Sequence, residues 1–575
     1  MSVHVSARAR RWRVAVLAAS LGLLAAACAR RVQAPNAGHV RFEITVPAAT
    51  RTTPVTGRVF VAISREATPE PRLQAGSWVG VPLFGADVSQ LNPDTPAVID
   101  GGTLGYPLKS LRDLPPGDYY VQAVLNVYTE FHRGDGHVIW AHMDQWEGQQ
   151  WNRSPGNFYS DVRKVHLDSR TGYDIALSLD KTIPPVQVPL DTEWVKHVKI
   201  QSRLLTAFWG HPIYLGATVL LPKGYATHPA IRYPTVYVQG HFGLNPPFGF
   251  TTEQRPETEE ARARRESLGR ETGFEFYQSW SADNFPRVIA VTFQHPTPYF
   301  DDSYAVNSVN NGPYGDAIMT ELIPYLESHF RMVPQPYARL LTGGSTGGWE
   351  SLALQLYHPT FFGGTWTLYP DPIDFRRYML INIYKDDNAF YPPNPTHAWY
   401  VPPRFFRRES DGQPANTVAQ LSQLEATLGS HGRSGQQLEI WEATYGPVGA
   451  DGYPKPLWDK ATGTIDHGVA DYMKAHGYDL RAYAEENWPK IGPDLAGKLH
   501  LYVGDMDNFY LNLAVYLFED FLKTTTHPAY LGSVAYGRPM KGHGWQGMTS
   551  AELIREMAAH IRQTAPAGAS MAWMP

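Results

Sequence analysis

The sequence predicts an α/β domain that follows a smaller β-rich one. Two changes of texture along the chain carry this reading. Residues from about 38 to 180 show short alternating runs broken by Pro/Gly turns. From about 181 to 575, strand-like and helix-like segments alternate, as they do around a mostly parallel sheet. Length supports two units: 575 residues with 43% hydrophobic and 13% aromatic side chains can fill more than one core. Charged residues make up only 18% and the formal net charge is -5, which excludes the one-sided basic footprint of a nucleic-acid binder.

The first 28 residues read as an export signal and not as part of the fold. Arg8, Arg10, Arg11 and Arg13 precede an apolar run from Val14 to Ala27 that is too short for a membrane span. Cys28, the one cysteine of the chain, follows Ala25-Ala26-Ala27. That placement resembles a bacterial lipoprotein processing site, which would anchor the chain to a membrane through a lipidated Cys28. The alternative is ordinary cleavage after Ala27 or Ala29. Either way the expectation is an exported protein: periplasmic, a membrane-anchored lipoprotein, or secreted. With a single cysteine, no intrachain disulfide can form.

In the β-rich part, Val40–Val46 alternates, Gly57–Ile63 is strand-like, and Pro115-Pro116-Gly117-Asp118 is turn chemistry ahead of Tyr119–Val124. Short strands of this kind suggest a sandwich. Trp78, Trp140, Trp146 and Trp151 admit a carbohydrate-binding module, or an accessory domain whose tryptophans are core or interface. Beyond Pro184-Pro185, strand candidates are Thr235–Val238, Arg287–Phe293, Ala338–Thr342, Gly364–Tyr369 and Leu499–Val503. Asp316–Phe330 has a helical apolar face, and Pro324 should kink it or shift its start. Residues 370–497 form a long insertion. Its Trp399, Tyr400, Phe405, Phe406, Trp441, Tyr445, Trp458 and Trp488 predict a structured cap over the site that sets substrate choice, or rings that only glue the insertion to its neighbours.

The chemistry starts at Gly343-Gly344-Ser345-Thr346-Gly347, a G-x-S-x-G motif between a strand and a helix candidate. Small residues let the backbone pinch at the strand-to-helix turn and lift the serine hydroxyl above the sheet, as in the α/β-hydrolase fold. The chain order of that fold is serine, acid, histidine. Ser345 is the nucleophile, and the turn after Leu499–Val503 supplies Asp507 as first choice of acid and Asp505 as its rival. His543, in the loop Lys541-Gly542-His543-Gly544, is the general base. Backbone N–H groups for an oxyanion hole are expected from Thr346 and from His241 or Phe242 in the loop after Thr235–Val238. Asp505-Met506-Asp507-Asn508 superficially resembles the start of a calcium loop but lacks the later ligands and the glycine.

Residues from about 200 to 550 resemble the putative esterase family, the α/β-hydrolase branch that includes esterase D, feruloyl esterases, enterochelin esterases and mycolyltransferases. The segments that carry the resemblance are Tyr233–Gly243, Ser303–Ser308, Gly312–Asp316, Gly343–Gly348, Gly504–Asp507 and Gly542-His543. It implies Ser345, Asp507 and His543 as triad and a chain that needs neither metal nor organic cofactor. Family members usually carry His-Gly where this chain has Gln239-Gly240. The expected function is hydrolysis of a small-molecule or polymer-linked carboxylic ester through an acyl-enzyme. The alternatives are an acyltransferase on the same triad and a non-catalytic binding protein on the same fold.

Overall fold

The computed structural model describes residues 39–575, so the Arg-rich leader and Cys28 lie outside the described residues. Among the described residues no helix is long and apolar enough to cross a membrane.

The N-terminal part holds two sheets around one core. The smaller has the order Tyr173–Ser178, Val40–Thr45, Ala97–Asp100; the larger is built on Val55–Ser64, between Leu83–Leu91 and Gly117–Val127. Val40–Thr45 alternates between buried and half-buried positions, the period-two pattern of a strand with one face on a core. Its Phe42 and Ile44 join Val59, Val61, Ile63, Val121, Ala123 and Leu125 in that core. Val55–Ser64 does not alternate and is buried from Gly57 onward. The cause is on its other face: Phe60 and Ala62, with Val124, belong to a second core continuous with the α/β domain. The larger sheet is therefore covered on both sides. Lys181–Thr182 still pairs with Phe158–Tyr159 of this sheet, so the β-rich part runs slightly past the expected boundary at 180.

The α/β domain is one eight-stranded sheet. Its strands are β1 (Val195–Ser202), β2 (Ile213–Leu220), β3 (Thr235–Gln239), β4 (Ile289–Gln294), β5 (Arg339–Ser345), β6 (Gly364–Pro370), β7 (Leu499–Gly504) and β8 (Ser533–Gly537). Their spatial order is β1-β2-β4-β3-β5-β6-β7-β8. β2 runs antiparallel to both neighbours, and all the other pairs are parallel. This is the α/β-hydrolase arrangement. It sends the C-terminal ends of β3, β5, β6 and β7 to one edge, where ligand crevices of open α/β sheets form. The helix Thr346–Tyr357 is buried at every position but its last, because it packs under β5 and β6 with the insertion over it.

Pro324 acts through a different device from a kink. The segment is a helix at Tyr314–Ala317, a π turn at Ile318–Leu322 and a helix at Ile323–His329 that takes Pro324 into its first turn. There the missing N–H costs no hydrogen bond.

Residues 371–498 leave the sheet after β6 and return at β7. They contain the hairpin Phe405–Arg408/Pro414–Thr417 and the helices Val418–Leu428, Gln437–Tyr445, His467–Ala475 and Leu480–Leu495. Phe406, Trp441, Tyr445, Trp458 and Trp488 are buried. Trp399 and Tyr400 are not: both stand exposed in an irregular stretch. Arg58 joins the β-rich part to this insertion. Its side chain is 6% exposed, pairs with Asp87 at 2.8 Å, and donates to the carbonyls of Thr427 (2.9 Å), Ala426 (3.1 Å) and Gly85 (3.1 Å).

Replacing Arg58 by Met keeps its apolar stem and strands those carbonyls away from water. Arg58→Met is expected to lower unfolding stability by about 1.5–3 kcal/mol, measured in urea. A loss under about 0.5 kcal/mol, the usual surface range, would show that Arg58 does not hold the two parts together.

Candidate active site

The turn from β5 into Thr346–Tyr357 is too tight for ordinary residues. Ser345 has φ 59° and ψ -119°, a positive-φ conformation that a side chain adopts only under strain. A Cβ on Gly343 would lie 2.3 Å from the Gly347 carbonyl oxygen, and one on Gly347 would lie 2.1 Å from that of Gln239. The two glycines of the motif are there because β3, β5 and the helix meet backbone to backbone. The amide of Thr346, first in the helix, has no intrahelical acceptor. Among the described residues the amides of His241 and Phe242 also make no hydrogen bond.

On the far side of β6, His543 and Asp507 meet. Nδ1 of His543 is 2.7 Å from Oδ2 of Asp507, whose side chain is fully buried. Oδ1 of Asp507 accepts the backbone N–H groups of Phe509 (2.9 Å) and Leu511 (3.3 Å), which orient the carboxylate. An ionised carboxylate can only accept, so Nδ1 carries the proton and Nε2 presents a lone pair. Asp505 does not touch the imidazole. It accepts the backbone N–H of Lys541 at 3.1 Å and so braces the loop. The rings of Tyr369 and Phe509 stand edge-on to His543, with centroids at 4.8 and 4.9 Å. Arg270 ties this arrangement together by donating to the Tyr369 hydroxyl (2.6 Å) and the Gly544 carbonyl (2.9 Å).

Ser345 itself is engaged elsewhere. Its Oγ donates to Oδ1 of Asp371 at 3.2 Å; among the described residues it makes no hydrogen bond to His543. Asp371 is buried just past β6, and its own N–H donates to the Ser345 carbonyl at 3.1 Å. Oδ2 of Asp371 takes three donors: the Tyr304 hydroxyl (2.6 Å), Nε2 of Gln437 (3.0 Å) and the Thr346 hydroxyl (3.1 Å). Gln437 and Trp441 both lie on the helix Gln437–Tyr445 of the insertion, and both also donate to the Tyr304 hydroxyl. Burial pushes the Asp371 carboxyl up; Tyr304, the imidazoles of His241 and His543, and Thr346 only partly counter it. The same site therefore feels both histidines.

His241 reaches the turn from the β3 loop, with Nε2 3.4 Å from the Thr346 hydroxyl. Its Nδ1 is 3.0 Å from Asp301 and 3.4 Å from Asp302. Burial opposes its charge, but the two carboxylates outweigh burial and raise its pKa well above the usual histidine range.

Residues 214–368 match the family model described as putative esterase. The match is to an ester-hydrolase family and spans the strands from β2 to β6. No curated protein matches the chain. Solved structures similar to it include a ferulic acid esterase, 15% identical, covering 64% of this chain and 98% of its own, with a TM-score of 0.33. An S-formylglutathione hydrolase from Agrobacterium tumefaciens is 12% identical, covers 65% and 96%, and has a TM-score of 0.31. A siderophore hydrolase from Aspergillus nidulans is 10% identical, covers 66% and 99%, and has a TM-score of 0.31.

Two carboxylate–histidine groups among the described residues have the composition of a metal site: His241, Asp301 and Asp302, and the buried His295, Asp302 and Glu350. In the second, the Ser303 backbone N–H donates to Nδ1 of His295 at 3.0 Å. That puts the ring proton on Nε2, which faces Glu350 at 3.9 Å as a donor and not as a metal-binding lone pair. Burial and the neighbouring Asp302 push the Glu350 carboxyl well above the carboxylate range. Asp371, Tyr304 and Gln437 were missed in the sequence. Asp371 had a usable signal, since it follows a parallel strand directly, as the turn holding Asp507 does. Gln437 had none.

If Asp507 orients the base, Asp507→Asn is expected to reduce kcat by about ten-thousandfold through the wrong imidazole tautomer. Asp505→Asn keeps an oxygen for the Lys541 amide and should cost far less. Steady-state kinetics on one ester decide, and the reverse ranking would move the orienting acid to Asp505.

Proposed function

We propose that the chain is a serine hydrolase of carboxylic esters that works through Ser345 as nucleophile, His543 as general base and Asp507 as the acid that orients it. The observation that carries this reading is the Asp507–His543 pair, which leaves an Nε2 lone pair at the edge of the sheet where the strained Ser345 turn also ends. In the resting site the Ser345 proton points to Asp371. Rotation about the serine Cα–Cβ bond turns it toward Nε2, and catalytic hydrogen bonds commonly tighten only when substrate is bound.

The bond changes then follow. Nε2 removes the Oγ proton as Oγ attacks the ester carbonyl, and the carbonyl oxygen becomes an anion. The amides of Thr346 and of His241 or Phe242 receive it. The tetrahedral adduct expels the alcohol, which takes the proton from His543. Water, deprotonated by the same imidazole, attacks the acyl-enzyme and releases the acid. Asp507 keeps Nδ1 protonated throughout and offsets the imidazolium charge.

The insertion 371–498 is read as a cap that shapes the acyl pocket, supported by Gln437 and Trp441 reaching the Asp371–Tyr304 group. The buried cap aromatics support this less directly: Trp441 and Tyr445 pack behind the nucleophile on Tyr304, Tyr378 and Trp349. Export, with Cys28 as lipid anchor or simple cleavage as the alternative, rests on the leader pattern Arg8–Cys28 alone.

Ser345→Ala is expected to abolish turnover, by about a millionfold, and to remove labelling by a fluorophosphonate probe. A purified, folded variant that kept more than about a hundredth of the wild-type rate would overturn the nucleophile assignment, since loss of a serine nucleophile costs far more than that.

A further inference from the structure

We propose that Asp371 makes this enzyme select acyl groups that carry a hydrogen-bond donor, an α-ammonium above all, on the carbon next to the scissile carbonyl. The natural substrate class is then α-aminoacyl esters. The inference rests on the esterase reading above and adds the acyl group to it.

The argument starts from the two oxygens of Asp371, which are not equivalent. Oδ2 is saturated by Tyr304, Gln437 and Thr346 at 2.6, 3.0 and 3.1 Å. Oδ1 has one side-chain donor, the Ser345 hydroxyl at 3.2 Å. Asp371 is 3% exposed, so water does not freely replace a lost donor. In the acyl-enzyme, Oγ is an ester oxygen and has no proton left. Oδ1 then loses its donor just as the acyl group is fixed beside it. A buried carboxylate oxygen without a donor is costly.

Geometry decides where the replacement comes from. A substituent on the acyl α-carbon lies three bonds from Oγ, within reach of an oxygen that Oγ itself contacts. An α-ammonium or α-hydroxyl can donate to Oδ1, and a methyl group cannot. The departed alcohol has no such role, because it has left when Oδ1 is bare. Charge points the same way. A carboxylate this close to the nucleophile repels anionic acyl groups and favours cationic ones.

The test uses three p-nitrophenyl esters of matched shape, isobutyryl, lactyl and alanyl, whose α-carbons bear CH₃, OH and NH₃⁺. Each kcat/KM is divided by the hydroxide-catalysed rate of the same ester to remove intrinsic reactivity. The wild-type enzyme is expected to favour alanyl over isobutyryl by about ten- to a hundredfold, with lactyl between. Asp371→Asn is expected to cut that ratio at least about tenfold, and Asp371→Glu, which keeps the charge one methylene away, to hold an intermediate ratio. A wild-type enzyme indifferent to the series, or an Asp371→Asn ratio equal to wild type, overturns the proposal. If Asp371→Asn is not labelled by the fluorophosphonate probe, Asp371→Glu decides, and a wild-type ratio there overturns it. Ser345-dependent hydrolysis of the isobutyryl ester leaves the esterase reading standing whatever the ratios are. No Ser345-dependent turnover of any of the three overturns both.

Discussion

The site depends on a close backbone approach at the Ser345 turn, where β3, β5, β6 and the helix Thr346–Tyr357 meet with no room for a Cβ. Besides the contacts of Gly343 and Gly347, a Cβ on Gly348 would lie 2.5 Å from the Leu368 carbonyl oxygen on β6. The positive φ of Ser345 persists because those contacts over-determine it. Everything at the site follows from that pinch. It brings the amide of Thr346 to the edge of the sheet and sets Asp371, the first residue past β6, against the serine hydroxyl. It also opens the gap across which the β3 loop delivers His241. The strain is stored in a helix end that is buried nearly all round, so the turn cannot relax by moving outward.

The charges around the turn are arranged so that each has a counterweight. Asp507 has two backbone N–H groups and an imidazole. Asp371 has four donors and two nearby histidines. His241 has Asp301 and Asp302, and Asp302 in turn faces Glu350, which burial and that neighbour keep protonated into a high pH range. Such networks are costly when one partner is missing and orienting when complete. The consequence is that Asp371 and His241 both reach the Thr346 hydroxyl, next to Ser345.

Much of this was legible in the sequence, and the rest was hidden for physical reasons. The segments Thr235–Val238, Arg339–Thr342, Gly364–Tyr369 and Leu499–Val503 are buried almost throughout, as parallel strands covered on both faces are, although Arg339, Thr365, Thr367 and His500 interrupt their apolar runs. β1 was not legible: Val195–Ser202 is an edge strand with Lys196 and His197 half-buried and Lys199 and Gln201 exposed, so no apolar run marks it. Ser345, Asp507 and His543 stand out in the sequence as candidates because motif and chain order single them out, and the Asp507–His543 contact is the part of that order the fold brings together. Asp371 and Gln437 could not be paired, since 66 residues of insertion separate them and only the folded helix Gln437–Tyr445 brings one to the other. The cap aromatics show the limit of composition: it predicts rings that need burying, and Trp399 and Tyr400 remain in solvent.

The β-rich part reaches the site at two places: Trp78 stands edge-on to Phe509, which meets the His543 ring, and the loop of Trp146 meets the β3 loop. Trp146, at φ 78° and nearly buried, stands edge-on to Phe242 with centroids 5.4 Å apart, and a Cβ on Gly148 would meet the Phe242 ring at 2.9 Å. Asp144 holds this loop by accepting the N–H groups of Trp146 (2.7 Å) and Gln149 (2.8 Å). Gln149 in turn donates to the Thr297 carbonyl of the α/β domain at 2.7 Å. Phe242 follows His241, whose imidazole reaches the Thr346 hydroxyl at 3.4 Å, so the β3 loop beside the Ser345 turn is packed on by a part of the chain outside the α/β domain. Oxyanion donors act by being in place before charge develops, and a loop free to sway would lose that advantage. At that junction Trp146 packs on Phe242, whereas Trp151 packs on Phe60 at 4.3 Å within the β-rich part itself.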